Sequence, residues 1–216
     1  MPRREPPTTC PSSLGPLREE LPVGRVLWRI HSERYAPVEF NPVPAARKRE
    51  PGRFDSADGS YASLYAGETR LTAFAEVFLR GETVLASSVR SVPRKKIEGL
   101  RLSKLTTGAS ISFVSLVGAE ALGRLGQDSW LTSCDEIDYP ITQRYAQSIR
   151  QWAPWAQGLV WLAKRDNAHL AYVLFNPPAA AGAIAGKVDR PLDGPGEAFT
   201  TNMLARLTVA LANPSP

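Results

Sequence analysis

Hydrophobic and polar positions follow a regular pattern most clearly from residue 61 to residue 80. Residues 61–65 (YASLY) carry Tyr61 and Tyr65 at alternating-face spacing, which predicts a short strand. Gly67, Glu68 and Thr69 then make a turn, and the Thr69 hydroxyl suits an N-cap because it can accept from an orphan backbone N–H. Leu71, Phe74, Ala75 and Phe78 recur at i, i+3, i+4 and i+7, so the spacing predicts a helix over 70–80 with one apolar stripe. Gly81 suits the left-handed residue that ends it. Glu76 falls about 140° round the helix from Leu71 at 100° per residue, on the side where a surface glutamate normally sits.

Weaker patterns organise the rest. In the strand expected over 25–31, Val26, Trp28 and Ile30 share one face, and Arg25, Leu27, Arg29 and His31 share the other. Pro37, Pro42, Pro44 and Pro51 make 35–54 an irregular, surface-exposed path. Strands are expected at 84–90, 97–104 and 110–117, and a short helix at 118–125. Pro140 opens a stronger helix over 141–152, with Ile141, Tyr145, Ile149 and Trp152 on one side and Pro154 after its end. Residues 158–163 and 170–175 are near-continuous apolar runs, as in strands buried within a sheet, with Asp166 and Asn167 as the turn between them. The Ala/Gly/Pro-rich 177–186 reads as a loop, and 200–212 as a terminal helix with Met203, Leu204, Leu207 and Leu211 on one side. Strands interspersed with few helices favour an α+β fold over a doubly wound parallel sheet. Residues 1–23, rich in Pro, Ser, Thr and charge, read as a flexible N-terminal extension to one domain over 24–212.

Composition narrows the chemistry. A hydrophobic fraction of 43% over 216 residues is enough for a real core. Lys and Arg total 26 against 21 Asp and Glu, a net +5 that suits an anionic ligand. No basic helix interleaved with aromatics and no zinc-finger spacing is present, so direct nucleic-acid binding is not expected. Cys10 and Cys134 form no CxxC, and His31 and His169 are the only histidines, so no metal site is expected. The chain has no apolar run of membrane-spanning length and its start lacks the apolar core of a signal peptide, which suits a soluble, cytoplasmic protein. GxSxG, HExxH and glycine-rich phosphate loops are all missing. Asp135, Glu136 and Asp138 cluster in a turn-like stretch and read as a solvated acidic loop.

What remains is a set of arginines, a tyrosine and a glutamate, and the set has a coherent chemistry. A glycosidic bond to ribose breaks through an oxocarbenium-like transition state, which a nearby carboxylate stabilises. Pyrophosphate needs guanidinium groups, whose planar fork holds phosphate oxygens in bidentate fashion. An aromatic base needs a ring or flat apolar wall to fix its plane. Arg29, Arg53, Tyr65 and Glu76 supply these three roles.

The succession Trp28-Arg29-Ile30, Gly52-Arg53-Phe54, Leu64-Tyr65-Ala66 and Ala73-Phe74-Ala75-Glu76-Val77 resembles the RES domain. Thr142-Gln143-Arg144-Tyr145-Ala146 and the runs ending in Trp161 and Phe175 resemble that family's C-terminal half. The resemblance implies an ADP-ribosyltransferase-like fold, a single domain with a mixed, mainly antiparallel sheet and a few flanking helices. It also implies a toxin that cleaves the nicotinamide–ribose bond of NAD⁺ and passes ADP-ribose to phosphate or water, neutralised by an Xre-type helix-turn-helix antitoxin. NAD⁺ then enters as substrate, with inorganic phosphate as co-substrate in the first case, and no cofactor is implied. By position, Glu76 stabilises the ribose cation, Arg29 and Arg53 hold the phosphates, and Tyr65 lines the nicotinamide end; Glu76 and Arg29 are the catalytic pair. The family's serine falls in a Trp-x-Ser-Arg pattern, where this chain reads Trp161-Leu162-Ala163-Lys164. Lys164 keeps a charge for substrate binding but loses the guanidinium fork, and Ala163 has no hydroxyl. The alternative is therefore a catalytically impaired module that binds a nucleotide or a partner.

Overall fold

The computed structural model describes residues 5–80, 90–176 and 182–212. Its strands are β1 (Arg18–Leu21), β2 (Val26–Ser32), β3 (Ala62–Gly67), β4 (Arg90–Val92), β5 (Leu100–Thr107), β6 (Ile111–Ser115), β7 (Gly158–Ala163), β8 (Asp166–Asn176), β9 (Ile184–Pro191) and β10 (Val209–Leu211). The helices are α1 (Arg70–Phe78), α2 (Gly118–Arg124), α3 (Trp130–Ser133), α4 (Tyr139–Trp152) and α5 (Glu197–Arg206). Among the described residues one eight-stranded sheet runs β1-β6-β7-β8-β3-β2-β5-β9, and β10 pairs with β4 in a small parallel ribbon. Only β6 with β7 is parallel within the large sheet. The fold is thus α+β, a single domain built on a mixed, mainly antiparallel sheet.

The two sheet faces bury different things. On β2, alternation buries Leu27, Arg29 and His31 and leaves Trp28 and Ile30 half-buried. The Leu27 face joins Leu64, Leu105, Phe113, Val160 and Leu174 under a cover from Val38 and Phe40. On the opposite face, Trp28 and Ile30 pack with Phe74 and Phe78 of α1 and Met203 and Leu204 of α5. Along the same face, Leu159, Trp161, Val173 and Phe175 pack on Tyr145 and Ile149 of α4 and on Phe54. Each fully buried large side chain such as Phe74 stabilises the fold by about 1.5–3 kcal/mol.

Helix α1 forms as its stripe predicts, and the Thr69 hydroxyl accepts from the Thr72 N–H at 3.0 Å as the expected N-cap. Other expectations need correction. Within the stretch expected to be a flexible extension, the described residues 5–23 are held: Arg18–Leu21 pairs with β6, and Glu5 bonds the Arg144 guanidinium of α4 at 2.6 Å. The irregular path over 35–54 does not stay on the surface, since Arg53 and Phe54 are buried. The turn after β7 is Lys164 and Arg165, and Asp166 and Asn167 already belong to β8. The strand expected at 97–104 begins at Leu100, and the terminal helix stops at Arg206, where Thr208 takes a positive φ and leads into β10. Strand β9 starts inside the stretch read as a loop, because an exposed edge strand carries no apolar alternation to mark it. The expected helix stop at Gly81 and all of the expected strand at 84–90 except Arg90 lie outside the described residues.

Candidate active site

Gly52 begins the construction. A side chain there would place its Cβ 2.5 Å from the Tyr65 hydroxyl oxygen, so only glycine lets the loop pass so close to β3. The Phe54 N–H then donates to that hydroxyl at 2.9 Å, and the Tyr61 hydroxyl donates to the Phe54 carbonyl at 2.9 Å. From α4, Gln143 donates to the Gly52 carbonyl at 2.9 Å and Thr142 to the Arg53 carbonyl at 2.6 Å. Asp55, buried, takes an ion pair from Lys48 at 2.8 Å and a hydrogen bond from Ser63 at 2.7 Å. The backbone on both sides of Arg53 is therefore fixed by β3 and α4, and its buried guanidinium is aimed into a cavity. There it donates to the Cys134 carbonyl at 3.3 Å and approaches the Cys134 sulfur at 3.1 Å, with the Tyr139 ring centroid 5.0 Å away.

Helix α1 supplies the carboxylate. The Thr72 hydroxyl donates to Asp166 at 2.7 Å, which laces the first turn of α1 to the start of β8. One turn on, Glu76 faces the cavity with its Oε1 buried and without a hydrogen-bond partner. Burial pushes its pKa up, opposed by the Arg53 guanidinium, the Arg165 backbone N–H and charge, and Arg80. Arg80, one turn further, donates to Glu136 at 2.8 Å and to the Pro51 carbonyl, 5.3 Å from the Tyr139 ring centroid. Burial also raises the phenols of Tyr65 and Tyr139 above their ordinary range, so both stay neutral.

The β7–β8 hairpin closes the far wall. Its register shifts between Leu162 and Ala163, an irregularity of the kind that re-aims side chains. Trp161 meets Tyr65 edge-on at 6.4 Å between centroids, and its buried Nε1 has no partner. Lys164 donates to the Cys134 carbonyl at 3.1 Å and to Asp135 at 2.7 Å, and this bond holds the Asp135 carboxyl below its usual range. Arg165 also lines the cavity, with no hydrogen bond or salt bridge to its guanidinium among the described residues. The cavity, open to solvent on one side, has a volume of about 720 Å³, within the ~300–1,000 Å³ of small-molecule sites.

Glu76, Arg53, Tyr65 and Lys164 are thus brought together, and Arg29 is not. Trp28 pairs with Gly67, so Tyr65 shares the Trp28 face and Arg29 projects from the other. Arg29 donates instead to the Pro37 carbonyl at 2.7 Å. Its expected catalytic place is corrected by strand geometry: adjacent residues on a strand cannot face the same side. Sequence reasoning missed Arg80, Arg165 and Tyr139. Arg80 carried a signal, since it lies four residues after Glu76 and so on the same helix face. Arg165 was hidden by the misplaced turn, and Tyr139 had no signal at all. The acidic loop is not merely solvated either, because Asp135 and Glu136 line the cavity.

Ala163 is fully buried in the core cluster with Phe54 and Trp161, and among the described residues no serine or threonine side chain lines the cavity. No group of three or more His, Cys, Asp or Glu among the described residues could hold a metal ion. No helix among them is long and apolar enough to cross a membrane.

Comparison with known proteins gives three findings. The fold is similar to a chain in the crystal structure of the M. tuberculosis MbcT–MbcA toxin–antitoxin complex, with a TM-score of 0.59 and 14% identity over 86% of this chain and 92% of that one. No curated protein matches the chain. The RES domain family model matches residues 26–193, a span that holds every cavity residue named above, and the chain therefore belongs to the RES domain family.

Proposed function

We propose that this protein is a RES-type toxin that degrades NAD⁺ by breaking the bond between ribose and nicotinamide. One observation carries the reading: a shielded carboxylate oxygen on Glu76, with no hydrogen-bond partner, faces a dinucleotide-sized cavity beside the Arg53 guanidinium. In the reaction the C1′–N bond breaks heterolytically and its electron pair leaves with nicotinamide. The cation at C1′ is stabilised by ionised Glu76 and captured by phosphate or by water, which then loses a proton to solvent. An anion held in a partly dry site interacts more strongly with that developing charge than it would in water. Arg53 binds phosphate oxygens, and the Tyr65 and Trp161 rings, edge-on to each other, supply aromatic surface for the nicotinamide end. The fold it shares with a chain of a toxin–antitoxin complex supports an antitoxin partner; that this partner is of the Xre helix-turn-helix type is what the family resemblance implies.

Incubation with NAD⁺ in phosphate buffer and in a phosphate-free buffer is expected to release nicotinamide, with ADP-ribose 1″-phosphate formed only in the first. Glu76→Ala is expected to lower release by about 10²–10³-fold. Equal inertness of wild type and Glu76→Ala would remove the enzymatic reading. A second reading, a nucleotide-binding module without turnover, is favoured by alanine at 163 and by a cavity wall without serine or threonine. Thermal stabilisation by NAD⁺ with no nicotinamide released is the outcome that selects it.

A further inference from the structure

Four cations line the cavity, and they differ in how far they are already committed. Lys164 is held by Asp135 and the Cys134 carbonyl. Arg80 is held by Glu136 and the Pro51 carbonyl. Arg53 has the Cys134 carbonyl and sulfur and the Tyr139 ring. Arg165 has no hydrogen bond or salt bridge from its guanidinium among the described residues, yet its main-chain N–H lies against the Glu76 carboxylate. A committed cation must surrender protein contacts before it takes a ligand oxygen, so the exchange yields little net free energy. An uncommitted guanidinium surrenders only water. Among the carboxylates, Asp135 and Glu136 are paired with Lys164 and Arg80, and Glu76 feels the charge of Arg53, Arg165 and Arg80 without a salt bridge to any of them among the described residues.

We infer that Arg165, rather than its neighbour Lys164, joins Arg53 in binding the anionic pyrophosphate of the substrate, and that Lys164 is a clasp holding the Cys134–Asp135 segment across the cavity. The position is economical for the chemistry. The same residue presents its side chain to the substrate's charge and its main chain to Glu76, so anion binding and carboxylate orientation share one hairpin turn. A guanidinium at this turn also supplies the bidentate fork that lysine at 164 lacks.

The inference rests on the NAD⁺ reading for the name of the ligand, and the experiment separates the two. ADP-ribose and inorganic pyrophosphate are titrated into wild type, Arg165→Ala, Arg165→Lys and Lys164→Ala by calorimetry, alongside NAD⁺ kinetics. Arg165→Ala is expected to weaken ADP-ribose about 10–100-fold and to raise KM by a similar factor with kcat changed much less. Arg165→Lys is expected to recover part of the loss, and Lys164→Ala to weaken ADP-ribose at most about threefold while lowering thermal stability. Nicotinamide release with an ADP-ribose affinity that Arg165→Ala leaves within twofold, or a larger loss in Lys164→Ala, overturns the inference and leaves the NAD⁺ reading standing. Arg165-dependent binding of both anions without NAD⁺ cleavage upholds the inference and overturns that reading. Failure of wild type to bind either anion overturns both.

Discussion

Arg29 and Arg53 are each 7% exposed, and they lie on opposite faces of the same sheet. On the Leu27 face, Arg29 meets a backbone carbonyl, and burial pushes its pKa down to about 10 with Glu39 as the opposing charge. On the other face, Arg53 meets a carboxylate, a thiol and an aromatic ring at the wall of a cavity. Equal burial therefore says nothing about role. A buried arginine tied to a loop carbonyl braces that loop, whereas one left facing unfilled polar space beside a carboxylate is equipped to take a ligand.

The largest expected effect breaks this comparison directly. Arg53→Ala should lower kcat/KM for NAD⁺ by about 100-fold or more, while Arg29→Met should keep it within about threefold for folded protein. Its stability should shift by no more than about 2 kcal/mol, since an apolar side chain of similar volume replaces a desolvated charge. Nicotinamide release and urea unfolding measured on both variants decide it. A loss in Arg29→Met as deep as that in Arg53→Ala, with unfolding unchanged, would put Arg29 back in the site.

The next effect sharpens the account of how Arg53 is held. Tyr65→Phe leaves the Phe54 N–H without its acceptor, which should cost about 1–3 kcal/mol in urea unfolding. Gly52→Ala forces a Cβ toward the same hydroxyl and should cost a similar ~1–3 kcal/mol. Both should raise KM, because both loosen the loop that carries Arg53. Unchanged unfolding in either variant would show that the loop is held elsewhere.

The smallest effect follows from Glu76. Its pKa is raised by burial, so the carboxylate ionises only above the ordinary glutamate range, and nicotinamide release should rise with pH through that higher value. The sign for stability is opposite. Between the unfolded value of about 4.3 and the raised folded value, the folded chain keeps a proton that the unfolded chain has lost, so stability falls as pH rises through that window. Glu76→Gln should therefore raise Tm relative to wild type at pH 8 and bring the two together near pH 4. A Tm difference that does not change with pH would place the carboxylate in a wetter setting than the cavity provides.

Much of this arrangement was legible one element at a time. The stripe of Leu71, Phe74, Ala75 and Phe78 determined α1 and its cap, and with them the fact that Glu76 lies off the packed side. Strand alternation at 26–31 determined that Arg29 travels with Leu27, away from Trp28. The ordered arginine, tyrosine and glutamate motifs determined the family. Elsewhere the pattern misled: a polar edge strand looked like a loop at β9, and an Asp-Asn pair looked like the turn that Lys164 and Arg165 actually make.

Tertiary structure decided the rest. A period of two says which residues share a face, and only strand order and the packing of α1 and α4 say which face receives the cavity. That choice removed Arg29 from the site and brought in Arg80, Tyr139 and Arg165. Whether a cation is free to bind a ligand was likewise beyond the sequence, because Asp135 lies 29 residues from the Lys164 it neutralises. Commitment of a charge is a property of long-range neighbours, and those neighbours exist only once the chain has folded.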